Sequence, residues 1–170
     1  MIKILNAEPL EYSPIAESIL SNIGVVISQD MDRNELIKQI GDFDILIVRL
    51  RNRIDKEILS YARKLKIIVT ATTGLDHIDI VTANAKGIAI LSLKGEVEFL
   101  RNIPATAEHT WGLLLSLVRK IPWAYQSVLQ GIWERDQFRG YDLANRTLGI
   151  VGMGRIGEKV ARYGLAFGMN

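Results

Sequence analysis

The sequence predicts an α/β protein built around a parallel sheet, on three observations. Short runs rich in Ile and Val recur through the first half of the chain. Each run is apolar at successive positions rather than at alternate ones, as in strands covered on both faces. Amphipathic stretches with capping residues at their ends separate the runs. The expected strands fall at residues 3–5, 24–27, 45–50, 67–71 and 88–91. Between them, Asp32 followed by Glu35 has the form of a capping box, and Leu36, Ile37 and Ile40 then share one helix face. Residues 54–65 bring Ile58, Leu59 and Ala62 together, and residues 79–85 end at Lys86-Gly87, a helix stop. Strands alternating with helices in this way predict a doubly wound, flavodoxin-like sheet over residues 1–93.

The rhythm then changes. Residues 94–102 read as polar and irregular. A long helix is expected from Pro104 to Ile121, with Pro104 in its first turn and Leu113, Leu114, Leu117 and Ile121 along one stripe. Pro122 should end or kink it, and a second helix over residues 124–130 should stop at Gly131. Residues 147–151 read as a new strand after a polar stretch, and a helix over 156–167 follows. The domain boundary is placed near residue 100, giving domains 1–99 and 100–170. No internal repeat or low-complexity tract is present.

Composition narrows the function classes. The chain has 170 residues, 48% hydrophobic and 24% charged, with a net charge of +2. That balance suits a globular protein with a real core. Lysines and arginines are dispersed, which argues against nucleic acid as a partner. Cysteine is absent, removing disulfides, thiolate metal sites and a thiol nucleophile, and this fits a cytoplasmic location. No apolar stretch is long enough to span a membrane. Residues 1–5 read as a first strand, so no signal peptide is expected. His77 and His109 are the only histidines and lack metal-ligand spacing, so no metal site is expected.

Gly152-Met153-Gly154-Arg155-Ile156-Gly157 is a GxGxxG motif set between an expected strand and an expected helix. That context makes it a dinucleotide fingerprint opening a Rossmann domain, where the bare pattern would be only a glycine-rich turn. Gly152 permits the sharp turn, Gly154 lets the backbone approach a pyrophosphate, and Gly157 lets the helix lie against its strand. The first helical residues, Arg155 and Ile156, add unpaired N–H groups and a partial positive charge. The acid that reads the ribose is expected about 20 residues further on. The choice between NAD and NADP is therefore left open, with NAD expected.

Four segments in this order resemble the D-isomer-specific 2-hydroxyacid dehydrogenase family: ILIVRLRNRID at 45–55, TATTGLDHID at 70–79, ATAEHTWGLLLSLVR at 105–119 and TLGIVGMGRIG at 147–157. Within it they look most like the D-3-phosphoglycerate branch of serine biosynthesis. The resemblance implies a substrate domain followed by the start of an NAD-binding domain. It implies that Thr72, Thr73 and Gly74 offer backbone amides to a substrate carboxylate, that Arg49 binds a substrate anion, and that Thr73 and Thr106 contact the cofactor. The family's catalytic arginine, glutamate and histidine have no counterpart here, so these 170 residues alone are expected to be inactive. The resemblance also implies a homodimer in the full-length enzyme, through the helix at 104–121.

Two departures bear on the substrate. Thr70 stands where some phosphoglycerate-acting relatives carry arginine, and residues 91–104 form a longer connection than in many relatives. Plainer readings exist beside each role. Arg49 also fits a solvated charge, Thr106 a helix cap, and the 72–74 loop an ordinary strand-ending turn. Asp76 and His77 read as turn residues, His109 as a packing or hydrogen-bonding residue of its helix, and Trp111, Trp123 and Trp133 as core or interface. A non-enzymatic, cofactor-sensing corepressor relative remains an alternative. A signalling receiver is disfavoured, because Glu8 ends the first strand but Arg49 occupies the place of its second acid.

Overall fold

The computed structural model describes Met1–Asn170. The chain divides into two compact units, Met1–Glu96 and Val97–Asn170. In the first, strands β1 (Lys3–Asn6), β2 (Val25–Ser28), β3 (Ile45–Val48), β4 (Ile67–Thr70) and β5 (Ala89–Ser92) alternate with helices α1 (Pro14–Ser21), α2 (Arg33–Gln39), α3 (Lys56–Tyr61) and α4 (Ile80–Ala85). The five strands are all parallel, in the order β2-β1-β3-β4-β5. This is the flavodoxin-like α/β order, with the chain reversing direction across the sheet between β1 and β3.

Side-chain alternation assigns the core. Leu5, Leu46, Val48 and Ile68 face one side, where Leu36, Ile40, Ile58 and Leu59 from the helices cover them. Ile4, Ile45 and Ile47 face the other, with Tyr12, Leu20 and Val26 against them. The capping box forms as the sequence indicates: Asp32 accepts from the Glu35 N–H, and the Glu35 carboxylate accepts from the Asp32 N–H. Asp55 and Asp79 cap α3 and α4 with the side chain alone, accepting from the Ile58 and Thr82 N–H groups.

Several expectations need correction. Full burial holds along β3 alone; the edge strands β2 and β5 carry exposed residues because each has a neighbour on one side only. Strand β3 stops at Val48 and β4 at Thr70, where their shared ladder ends, so Arg49, Leu50 and Ala71 belong to loops. Helix α1 was not anticipated. None of its residues is fully buried, but Leu20 packs against Ile4, Ile45 and Ile47, and Pro14 marks its first turn.

In the second unit, residues 94–102 are not wholly irregular: they contain helix α5 (Val97–Arg101). The two helices expected here both form: the long one is α6 (Ala105–Val118), which ends three residues early, and the second is α7 (Ile121–Leu129), which begins three residues early, with Lys120 at φ 54 between them. Pro122 lies in the first turn of α7, where its missing N–H costs nothing. Helix α8 (Arg155–Ala166) packs on α6 through Trp111. The Trp111 indole N–H donates to the Val160 carbonyl at 3.1 Å, and its ring stacks on Phe167 at 4.7 Å. Gly164 lies beneath the indole, where a side chain would crowd both Trp111 and Leu148.

The strand expected at 147–151 does not form. A strand is defined by its partners, and here the pairing is confined to Asn170. The Asn170 N–H donates to the Arg146 carbonyl and the Leu148 N–H to the Asn170 carbonyl, each at 2.8 Å. No helix of the chain is long and apolar enough to cross a membrane.

Candidate functional site

One candidate region lies in each unit. In the second, the glycines of the GxGxxG turn separate into three physical roles. Gly152 sits at φ 97, a conformation that strains any residue with a Cβ. A Cβ on Gly157 would collide with the Gly152 carbonyl oxygen, so this glycine lets the start of α8 close on the turn. A Cβ on Gly154 would meet no atom of the protein within 4 Å. Packing therefore does not require glycine at 154, and the space beside it is open to a ligand. Gly154 is also the N-cap of α8 and supplies no capping side chain, so the N–H groups of the first turn, including those of Arg155 and Ile156, point outward unmet by a cap.

In the first unit, Arg49, Thr72, Thr73 and Gly74 gather at the carboxyl ends of the neighbouring strands β3 and β4. This is the edge of a parallel sheet where ligands bind. Arg49 is exposed and donates to the Leu10 carbonyl at 3.3 Å. It borders a cleft of ≈ 600 Å³ that is also lined by Glu8, Leu10, Asp30, Leu50 and Arg51. Thr72 Oγ1 donates to the Gly74 carbonyl at 2.7 Å, while Thr73 and Gly74 are exposed.

Sequence reasoning missed the role of Glu8. Its carboxylate is buried and accepts from the N–H groups of Leu50, Arg51 and Asn52 at 3.1, 3.2 and 3.0 Å. Asn52 Nδ2 in turn donates to the Met31 carbonyl at 3.0 Å. The loop after β3 is thus latched to the end of β1. Both Glu8 oxygens are occupied by loop donors, which gives this acid a structural task unlike that of a receiver's. The only local signal was an acid at a strand end.

His77 also differs from its reading as a simple turn residue. It is buried, and its Nε2 lies 3.3 Å from Thr70 Oγ1. Burial pushes the imidazole below its ordinary pKa, with Glu8 and Asp76 pulling weakly the other way. Below the unfolded-state value of 6.5, the unfolded chain gains a proton that the folded one resists. The first unit should therefore lose stability as pH falls from 8 toward 5.5, read as a falling urea midpoint, about one histidine's worth of which disappears in His77→Gln.

Thr106 and His109 are exposed on α6. Thr106 is not the helix cap, since Pro104 holds that position. The exposure of His109 disagrees with the packing half of the packing or hydrogen-bonding role expected for it. Trp111 is core, whereas Trp123 and Trp133 are exposed on this unit. No group of three or more acidic, histidine or cysteine side chains is arranged to hold a metal ion.

Residues 4–161 match the model of the D-isomer specific 2-hydroxyacid dehydrogenase catalytic domain, and the chain belongs to that family. It is 37% identical over 171 residues to a D-3-phosphoglycerate dehydrogenase of Methanocaldococcus jannaschii, matching all of this chain and 31% of that protein. It is 39% identical over 144 residues to a hydroxypyruvate reductase of Thermotoga maritima, matching 85% of this chain and 45% of the relative. The chain therefore spans less than half the length of these curated relatives.

Among solved structures, the TT0316 protein of Thermus thermophilus superposes with a TM-score of 0.85 at 31% identity, over 99% of this chain and 54% of its own. A D-lactate dehydrogenase of Aquifex aeolicus complexed with NAD and lactic acid gives a TM-score of 0.80 at 28% identity, over 98% and 49%. An acyclic imino acid reductase in complex with NADPH and D-Arg gives 0.80 at 26%, over 99% and 54%.

Proposed function

We propose that this chain provides the substrate domain and the first phosphate-binding turn of an NAD-dependent D-2-hydroxyacid dehydrogenase, acting on a short 2-hydroxy acid of the 3-phosphoglycerate kind. The observation that carries the reading is the division of labour among Gly152, Gly154 and Gly157. One is needed for the bend and one for helix closure, while the third has no steric reason within the protein to lack a side chain. A dinucleotide pyrophosphate fits that third position, held by Gly154 and by the N–H groups of Arg155, Ile156 and Gly157. The family assignment and the relatives named for NAD and NADPH complexes support a nicotinamide group, with NAD the proposed choice.

When bound, the nicotinamide exchanges a hydride with the carbon bearing the hydroxyl. The tasks assigned to this chain are binding and orientation. The exposed amides of Thr73 and Gly74, with Thr72 bracing their loop, take the substrate carboxylate. Arg49 takes a second anionic or polar group of the substrate in the cleft. Thr73 and Thr106 complete the cofactor contacts. A homodimer through residues 104–121 belongs to the same reading, supported by the exposure of Leu113 at 59% and Leu117 at 63% on α6.

The reading is tested on the chain itself by calorimetric titration with NAD and NADP. Weak binding is expected, abolished in Gly154→Asp, whose side chain brings bulk and negative charge to the phosphate position. Equal binding by the variant would overturn it. For the full-length protein, loss of reduced-nicotinamide absorbance with a panel of 2-oxo acids identifies the substrate.

A further inference from the structure

We propose that Thr70 and His77 are positioning residues, orienting the substrate loop through a one-way chain of hydrogen bonds that ends on the Gly74 carbonyl. This assignment rests on reading residues 72–74 as the carboxylate-binding loop. The contacts run His77 Nε2 to Thr70 Oγ1 at 3.3 Å, Thr70 Oγ1 to Thr72 Oγ1 at 3.0 Å, and Thr72 Oγ1 to the Gly74 carbonyl at 2.7 Å.

Proton counting fixes the direction. A carbonyl can only accept, so Thr72 spends its single hydroxyl proton on Gly74. Thr72 must then accept from Thr70, which spends its own proton there. Thr70 can only accept from His77, so the imidazole carries its proton on Nε2. Thr70 and His77 are 1% and 9% exposed, so water does not readily replace either partner. The depressed basicity of His77 keeps it in a singly protonated form, for which the position of that proton matters.

The end of the chain is functional in its placement. Engaging the Gly74 carbonyl with the Thr72 hydroxyl occupies an acceptor that would otherwise repel an incoming anion. The N–H groups of Thr73 and Gly74 donate to no backbone carbonyl of the protein. Beside Gly74 a Cβ would meet only an Asp76 carboxylate oxygen, at 3.6 Å, so the backbone is accessible there. The loop thus offers two free donors while its nearby acceptor is engaged.

The experiment uses nitrogen-edited NMR on the chain, with pyruvate as the anionic probe. His77 is expected to show the Nε2–H tautomer at pH 7.5, and finding the Nδ1–H form would overturn the proposal by breaking the direction of the chain. Pyruvate should shift the Thr73 and Gly74 amides in the wild-type chain. In Thr70→Val the apparent Kd from those shifts should rise about tenfold, with recovery in Thr70→Ser, which keeps the hydroxyl. His77→Gln, which still carries an N–H donor, should bind more tightly than His77→Leu. Amides that do not respond to pyruvate in the wild-type chain would overturn the substrate reading and this assignment with it. Wild-type shifts that persist with unchanged Kd in folded Thr70→Val would overturn this assignment alone.

Discussion

Trp111→Ala should destabilise the second unit by about 3–5 kcal/mol, the range for deleting a buried large aromatic side chain. Three contacts are lost together: the stack on Phe167, the indole N–H bond to Val160, and the packing over Gly164. The substitution leaves a cavity between α6 and α8, which pack on each other around this side chain. Trp111→Phe should recover the stack but not the hydrogen bond, placing it between the two. Urea denaturation followed by hydrogen exchange measures this. Amides of α6 and α8 should lose protection while those of β1 and β3 keep theirs. A uniform loss over both units would contradict the local account.

Gly157→Val should be the most damaging single change in the phosphate turn, and Gly154→Ala should separate binding from stability. At 157 the new side chain meets the Gly152 carbonyl, a backbone atom that cannot rotate aside, so the helix start must be displaced. A cost of about 1–3 kcal/mol is expected, and more where the displacement spreads. At 154 the added methyl meets nothing within 4 Å, so the thermal midpoint should change little. NAD affinity should nevertheless fall at least about tenfold, because the methyl stands where the backbone is to approach the phosphate. A differential scanning and calorimetric comparison of the two variants decides this. Loss of stability without loss of affinity at 154 would show that its openness serves something other than a ligand.

What the sequence made legible was local. The Asp32–Glu35 box and the stops at Lys86-Gly87 rest on contacts between residues close in the chain, and they formed as expected. The glycine turn was readable for the same reason, since its steric demands lie within six residues. What stayed hidden depends on the fold. Glu8 meets Asn52 across 44 positions, and no spacing rule connects them. His77 looks like any turn histidine until Ile54 pairs with its carbonyl and draws it inward. Residues 147–151 have the composition of a strand, yet the paired partner within these residues is Asn170 alone. Helix α1 does carry local signals, Pro14 in its first turn and the i, i+4 pairs Ile15–Ile19 and Ala16–Leu20, so its absence from the sequence reading has no physical cause in the fold.

The Glu8 latch has an evolutionary consequence for the cleft it borders. Its bonds to positions 50 and 51 go to main-chain N–H groups, which every residue except proline supplies. The side chains of Leu50 and Arg51 project from that fixed frame, and Leu50 is largely exposed. Mutation at 50 can thus alter the size and polarity of the cleft wall while the loop keeps its course. A lineage could explore new substrate tails at this position through single codon changes, each tolerated by the fold, so long as the acid at position 8 is retained.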